Sequence, residues 1–169
     1  MTEQEILINN AKKGDVHSFA VLYESVYKEM YRVAYYSLGN PDDAADAVSE
    51  AVTDAFAGIK MLKEPAAFKG WIFKILSAKI SRQKKAYVNK TADIDEIAEP
   101  ADERASLLQE DQSVRELFFS LPKEDRLILS LDIFMGYKSE EIAEILKMPS
   151  GTIRSRKKRA LDRLKKELM

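Results

Sequence analysis

The sequence predicts an all-α protein made of two small helical domains, joined by an acidic flexible linker, with a helix-turn-helix in the C-terminal domain. Apolar residues recur at three-and-four spacing through most of the 169 residues, and no stretch shows the alternation typical of a strand. Between residues 87 and 110 the periodicity fades, acidic residues dominate and Pro100 interrupts the chain. We therefore place the domains at residues 1–86 and 111–169, with the linker at 87–110.

The composition is typical of a folded intracellular protein. With 46% hydrophobic and 33% charged residues and few Gly and Pro, the chain is too apolar to be disordered. It contains no Cys, which excludes disulfides, thiolate zinc sites and thiol nucleophiles. The N-terminus is polar, unlike a secretory signal, and no apolar stretch reaches the length of a membrane span. We expect a cytoplasmic protein without membrane insertion.

Three helices are predicted in the first domain. Apolar residues at helical spacing place the first at about residues 15–39. The second spans about residues 41–62, with Pro41 in its first turn and acidic residues beside it that suit the positive end of the helix dipole. The third runs from Pro65 to about residue 86, with an aromatic and aliphatic buried side.

Four helices are predicted after the linker, and the last two form a helix-turn-helix. Their apolar runs span residues 114–121, 126–134, 142–146 and 153–168. Ser139 is the expected N-cap of the third of these helices. Residues 147–149 break it at a tight turn that contains Pro149, and Ser150 can cap the long basic helix that follows.

One face of the last helix carries polar and cationic side chains. On a helical wheel it points away from the apolar stripe and comprises Thr152, Arg154, Ser155, Lys158 and Arg159. In a major groove, Arg can donate two hydrogen bonds to guanine, Ser and Thr bond adaptably, and Lys contacts phosphates. The alternative is a solvated basic helix end that suits the helix dipole. The pairing with a short preceding helix favours DNA binding.

Charge is segregated along the chain despite a net charge of only -1. Residues 68–90 contain seven basic residues and no acidic one, and residues 154–166 contain eight basic residues against Asp162 alone. Two basic segments indicate two anionic contacts. In the first, Phe68, Trp71 and Phe73 lie among cations, a combination that suits single-stranded DNA. For Trp71 itself, packing in the core is favoured over a contact with DNA.

The second helix carries a stripe of carboxylates, which we call the acidic stripe: Asp43, Asp46, Glu50 and Asp54. Their offsets of three, seven and eleven residues align them on one face. Such a stripe could bind a metal, act as an acid–base pair, dock a basic partner or be solvated. With no Cys and only His17, a transition-metal site is not expected, and solvated carboxylates make poor general acids. Docking or plain solvation remains.

The C-terminal helices resemble the fourth conserved region of the extracytoplasmic-function group of sigma-70-type sigma factors. The matching segments are residues 121–126, 136–143, 151–156 and 159–160. The resemblance implies that the last helix reads the minus-35 promoter element. The residues to which it assigns base or phosphate contact are Arg154, Ser155, Lys158 and Arg159, with Ser150 and Thr152 near the DNA backbone. Lys147 and Lys157 depart from the family pattern, which usually has Gly and an apolar residue there.

The first domain resembles the second conserved region of the same family. The matching positions are Gly14, Asp15, Ser18, Phe19, Leu22, Tyr23, Tyr27, Leu38, Gly39 and residues 43–50. The resemblance implies that Asp43, Asp46 and Glu50 bind the β′ clamp helices of RNA polymerase, although Ala45 and Ser49 replace longer polar residues. It assigns the minus-10 element to Phe68, Lys69, Trp71, Lys74, Arg82, Lys84 and Lys85. Ala78 and Arg82 stand where the family commonly has Asn and Asp, so its base preference does not carry over.

The resemblance therefore implies a sigma factor with no catalytic residues, metal or cofactor of its own. Its expected partners are core RNA polymerase, through the β′ clamp helices and the β subunit, promoter DNA and an anti-sigma factor. One rival is a stand-alone helix-turn-helix transcriptional regulator, which would not need the acidic stripe. The other is an enzyme that uses the stripe, which predicts a divalent-metal requirement that Asp46→Ala and Glu50→Ala abolish.

Overall fold

The computed structural model describes residues 1–90 and 112–168, and side chains within 1–83 and 115–167. These ranges fold into helices and contain no strand. The helices are α1 Glu3–Lys12, α2 Val16–Glu24, α3 Tyr27–Leu38, α4 Pro41–Gly58, α5 Phe68–Lys90, α6 Gln112–Phe119, α7 Lys123–Ile133, α8 Ser139–Leu146 and α9 Ser150–Leu168. Short 3₁₀ turns at Ile59–Met61 and Pro65–Ala67 lie between α4 and α5. Of the helices described, none is both long and apolar enough to cross a membrane.

Helix α1 is an element that the periodicity argument did not predict. Its N-cap is Thr2, whose hydroxyl accepts a hydrogen bond from the backbone N–H of Glu5 at 3.1 Å. Ile8 and Ala11 are buried against the rest of the domain. The Thr-x-x-Glu spacing of a capping box was present in the sequence and could have revealed this helix.

The single helix predicted for residues 15–39 is wrong in one respect, because the chain breaks in the middle. Helix α2 ends at Glu24, and α3 begins at Tyr27. The hydroxyl of Ser25 donates to the carbonyl of Leu22 at 2.6 Å, and Val26 leaves helical geometry at φ −126° and ψ −9°. A serine that bonds to the preceding turn competes with the helix ladder, and burial of Val26 fixes the change of direction.

The other two predicted helices of the first domain are confirmed. The amide oxygen of Asn40 accepts hydrogen bonds from the N–H groups of Asp42 and Asp43, which fixes the start of α4. Helix α5 continues to Lys90, so the first four residues of the predicted linker are helical. The rest of the linker, residues 91–110, lies outside the described residues. The domain boundaries at 86 and 111 stay a prediction.

The four predicted C-terminal helices are confirmed as α6 to α9. Ile142, Ile153 and Ala160 are buried at the seam between α8, α9 and α7. Ser139, however, is not the N-cap of α8: Lys138 occupies that position in extended backbone, and Ser139 is buried in the first turn. A carboxylate oxygen of Glu141 accepts from the N–H of Lys138 at 2.9 Å, so the acidic side chain satisfies the helix start instead.

The helices on either side of the linker share one apolar core, which the sequence did not predict. Tyr36 of α3 is fully buried, and its ring centroid lies 5.1 Å from that of Phe118, 5.6 Å from Phe119 and 5.0 Å from Phe134. Tyr35 meets Phe119 edge-on at 5.4 Å. Aromatic pairs at such distances add to the free energy gained by burial. Helix α3 is therefore held against α6 and α7 by a cluster of rings.

A buried arginine completes this contact. Arg126 of α7 is 5% exposed, and its guanidinium donates to the carbonyl of Ser37 at 3.1 Å and to that of Leu121 at 3.0 Å. Ser37 is in the last turn of α3, where carbonyl groups lack partners within the helix and the dipole is negative. The guanidinium of Arg126, in the C-terminal half, thus provides a hydrogen-bond donor for a carbonyl at the end of α3 in the N-terminal half.

Candidate nucleic-acid and polymerase interface

The turn between α8 and α9 brings two helices together in the arrangement that DNA-binding helix-turn-helix proteins use. Lys147 ends α8 in the left-handed region at φ +56° and ψ +48°. Its N–H and that of Met148 turn back towards the carbonyl of Ala143, so the chain reverses direction within a few residues. Helix α9 then begins at Ser150. A lysine in this left-handed conformation carries backbone strain that a glycine would not.

The exposed side of α9 matches the predicted reading face. Ile153 and Ala160 are 0% and 2% exposed, and Leu161 and Leu164 are half-buried on the same side. The exposed side chains on the other side are Thr152, Arg154, Ser155, Lys158 and Arg159. Ser150, in the first turn, is half-buried. The helical wheel was therefore correct about which residues can reach a ligand in solution.

Two other cations of α9 are tied to α7 and do not join that face. Arg156 Nη1 lies 2.9 Å from a carboxylate oxygen of Glu124 and 3.3 Å from one of Asp125. Lys157 Nζ lies 3.5 Å from Asp132, with only a quarter of its side chain exposed. These ion pairs hold α9 against α7, and the pair with Asp132 explains how the polar Lys157 fits beside an apolar seam.

The acidic stripe lies on α4 with its members in different surroundings. Asp46 and Glu50 are exposed, whereas Asp43 is half-buried. Burial, with repulsion from Asp46 and Asp42, raises the pKa of Asp43, and the nearby Lys123 of α7 opposes that rise. Lys123 belongs to the other half of the chain, so the contact between the halves reaches the first turn of α4.

The fourth carboxylate of the stripe has a structural partner. Asp54 Oδ2 lies 2.6 Å from Nζ of Lys79, a lysine of α5 that is 7% exposed. A buried ammonium requires such a counter-charge. Asp54 is itself 53% exposed, but through this ion pair it joins α4 to α5, which gives it a different role from that of Asp46 and Glu50. Sequence spacing placed all four on one face and could not separate them.

The predicted minus-10 residues on α5 divide into buried and exposed groups. Phe68 is 2% exposed and packs 6.2 Å from Trp71, so its ring has no face available for a base in this arrangement. Phe68 is part of the core in this arrangement, and a contact with the minus-10 element stays a prediction for it. Lys69, Lys74 and Arg82 are exposed, and Trp71 is half-buried. The side chains of Lys84 and Lys85 lie outside the described residues.

Two open cavities lie between α5 and α8. One, of about 680 Å³, is lined by Trp71, Lys69 and Lys74 on one side and by Tyr137 and Ile145 on the other. The second, of about 600 Å³, shares Trp71 and Lys74 and extends to Arg82, opposite Leu146 and Lys147. Burial and the neighbouring Glu141 raise the pKa of Tyr137. The exposed cations of α5 therefore border a groove whose far wall belongs to the C-terminal half.

Comparisons with known proteins assign both halves of the chain. Residues 22–98 match the family described as Sigma-70 region 2, and residues 111–164 match Sigma-70, region 4. The ECF RNA polymerase sigma factor SigM of Mycobacterium tuberculosis is 28% identical over 152 residues, covering 89% of this chain and 77% of the relative. SigW of Bacillus subtilis, also named an ECF sigma factor, is 28% identical, and the match covers 95% of this chain and 94% of SigW. The chain belongs to the extracytoplasmic-function group of the sigma-70 family.

The fold of this sigma factor also resembles a solved structure. The sigma factor RpoE in complex with the anti-sigma factor NepR from Bartonella quintana superposes with a TM-score of 0.74 at 24% identity, over 90% of this chain and 98% of that chain. As a sigma factor, the protein directs promoter-specific transcription initiation. The alternative of a stand-alone helix-turn-helix regulator is wrong, because the first half of the chain matches region 2.

Proposed function

We propose that this sigma factor places its parts as follows. Asp43, Asp46 and Glu50 on α4 dock on the β′ clamp helices of core RNA polymerase. The exposed face of α9 reads the minus-35 element, and the exposed cations of α5 hold single-stranded DNA at the minus-10 element. The polymerase performs the chemistry, and the sigma factor contributes binding and placement.

The carboxylates of α4 support docking on a basic partner. Helix α4 carries no basic residue, so its acidic side chains are not neutralised within the helix. Asp46 and Glu50 stand exposed one turn apart, while Asp54 is occupied by Lys79. Exposed carboxylates of one sign attract a basic surface and fix its register. The stripe therefore supplies two exposed charges, Asp46 and Glu50, and a third, half-buried one, Asp43, at its edge.

The sorting of cations on α9 is the observation that carries the proposal for DNA. Arg156 and Lys157 are held by acidic residues of α7, whereas Arg154, Lys158 and Arg159 point outward together. A solvated helix end would need no such separation. A recognition helix must be fixed to its domain on one side while its outer face contacts the DNA groove. Cations that pair with α7 serve the first need, and exposed cations serve the second.

The minus-10 surface is partly covered in the arrangement described here. Lys69, Lys74 and Trp71 line a groove closed on its far side by Tyr137 and Ile145 of the C-terminal half. A DNA strand that contacts these cations needs α8 to move away from α5. Binding to polymerase, which engages both halves, supplies the free energy for that separation in our proposal.

The remaining partners follow from family membership. We propose that the C-terminal half binds the β subunit of polymerase and that an anti-sigma factor holds this protein inactive. The solved relative RpoE is bound to the anti-sigma factor NepR, which supports such a partner here. A cytoplasmic location stays part of the proposal.

Holoenzyme assembly tests the docking assignment. The double variant Asp46→Ala/Glu50→Ala should weaken binding to core polymerase by about tenfold or more, because two interfacial charges are lost. The matched control Glu3→Ala/Glu24→Ala removes the same charge from exposed positions on α1 and α2. Fluorescence anisotropy with labelled sigma factor measures both affinities. Equal affinities for the two double variants would show that α4 is merely a solvated face.

A further inference from the structure

The arginine proposed to read bases is held by a carboxylate from the preceding helix. Nη1 of Arg154 donates to Oε1 of Glu140, in the first turn of α8, at 3.2 Å. The two side chains are 56% and 68% exposed, so the pair lies on the surface that DNA would approach. Glu140 is not part of the exposed face of α9 that is proposed to contact DNA, and no role has been given to it above.

The contact directs the guanidinium towards the start of α9. A Cβ built on Gly151, three residues before Arg154, would lie 4.0 Å from Nη2, so the side chain folds back over the first turn of its own helix. The N-terminal residues of a recognition helix are the ones that contact base edges in a helix-turn-helix. Glu140 therefore holds the cation at the end of α9 that enters the groove.

The pair leaves enough hydrogen-bond donors for a base. A guanidinium has five N–H donors in a planar fork, and Glu140 takes one at Nη1. Among the described residues, none accepts from Nε or Nη2 of Arg154. These two nitrogens form the side edge of the fork, with two parallel donors that match O6 and N7 of guanine. Glu140 and a guanine can thus bind Arg154 at the same time.

The pair is suited to positioning more than to stability. Exposed ion pairs contribute little to folding, because both charges are well solvated. A free arginine side chain, in contrast, loses much rotational freedom when it is fixed on a base. A carboxylate that fixes the fork beforehand reduces that loss. Its negative charge also repels backbone phosphates, which carry no sequence information, from the neighbourhood of the guanidinium.

We infer that Glu140 is a positioning residue for base recognition: it orients Arg154 so that the arginine reads a guanine of the minus-35 element in preference to binding phosphate. This inference rests on the proposed function of α9. Loss of Glu140 should reduce discrimination between bases without weakening binding to DNA in general, since the substitution also removes a negative charge from the DNA-facing surface.

The test uses holoenzyme reconstituted with core polymerase and a promoter library with the minus-35 element randomised. Arg154→Ala identifies the position that this residue reads, with an expected loss of about tenfold in discrimination. Glu140→Ala should lose about three- to tenfold at the same position. The double variant should lose no more than Arg154→Ala, and Glu140→Gln, which still accepts a hydrogen bond, should keep most of the preference.

Glu144→Ala is the matched control, because it removes the same charge from an exposed position of α8. It should leave the preference unchanged, and binding to a promoter without a minus-35 match should not weaken in Glu140→Ala. The inference is overturned if Glu140→Ala keeps the wild-type preference, if its loss adds to that of Arg154→Ala, or if Glu144→Ala has the same effect. If Arg154→Ala itself leaves the preference unchanged, the groove assignment of α9 fails, and the role of Glu140 fails with it.

Discussion

Replacing Arg126 by alanine should release the contact between the two halves of this sigma factor. The guanidinium donates from Nη2 to Ser37 across the contact and from Nη1 to Leu121 within its own half. It also lies 5.2 Å over the ring of Phe119, which packs on Tyr35 and Tyr36. The substitution removes these two hydrogen bonds, together with a longer one from Nη1 to the carbonyl of Phe119 at 3.4 Å, and leaves a cavity beside the aromatic cluster.

The magnitude follows from these contacts. A hydrogen bond to a charged group contributes about 1.5–3 kcal/mol, and the cation over the ring adds roughly 1 kcal/mol. Two such bonds and the ring contact together predict that the free energy of unfolding falls by about 4–7 kcal/mol. The bond to Ser37 is the part that joins the halves, and its loss of about 1.5–3 kcal/mol shifts the balance towards separation by roughly 10- to 150-fold.

Trp71 reports this separation directly. It is the single tryptophan of the chain, and it lies on α5, where it lines both cavities that separate α5 from α8. In Arg126→Ala, iodide quenching of tryptophan fluorescence should increase at urea concentrations where circular dichroism still shows full helix content. Arg163→Ala removes an exposed arginine of α9 and serves as the control. Equal quenching curves and equal midpoints for the two variants would refute the reasoning.

Three further changes have predicted outcomes. Asp54→Ala leaves the buried ammonium of Lys79 without its counter-charge and should lower the free energy of unfolding by about 1–3 kcal/mol in urea denaturation, whereas the exposed Asp46→Ala should change it by less than about 0.5 kcal/mol. Folding raises the pKa of Asp43, so ionisation of this carboxyl lowers the free energy of unfolding as the pH rises above the ordinary carboxyl range. Asp43→Asn should therefore stabilise the protein at pH 7 and flatten the pH dependence of its stability between pH 4 and 7. The same substitution should weaken polymerase binding. Lys147→Gly relieves left-handed backbone and should raise the melting temperature through a gain of about 1 kcal/mol.

Each of these has a contradicting result. Equal unfolding free energies for Asp54→Ala and Asp46→Ala would mean that the pair with Lys79 does not stabilise the helix contact. An Asp43→Asn variant that is less stable than wild type at pH 7 would mean that the carboxylate is favoured by the helix start more than it is disfavoured by burial. A lower melting temperature for Lys147→Gly would show that the side chain contributes more than the strain costs.

Local patterns in the sequence were enough to predict most helices and the outward face of α9. The apolar period and the Pro and Asp residues after Asn40 define elements through interactions only a few residues apart. The break at Ser25 escaped prediction because the apolar period continues through it, while the change of direction depends on one side-chain hydrogen bond and on where Val26 is buried.

Roles that depend on distant contacts could not be predicted. Asp54 and Asp46 look equivalent on α4, and only the position of Lys79 on the neighbouring helix distinguishes them. Arg156 and Arg154 likewise differ because Glu124 of α7 reaches one and Glu140 of α8 reaches the other. The aromatic residues that pack α3 against the C-terminal half also fit the apolar pattern of their own helices. That pattern therefore does not indicate which other helix they contact.

Run-off transcription with core polymerase on a genomic promoter library tests the central claim most directly. Added to core enzyme, the purified protein should produce discrete transcripts from a restricted set of promoters. At sigma-factor concentrations near the wild-type Kd, Asp46→Ala/Glu50→Ala should reduce these transcripts while the circular dichroism of the chain is unchanged. Transcription no different from that of core polymerase alone, with wild-type protein correctly folded and present in excess, would contradict the account.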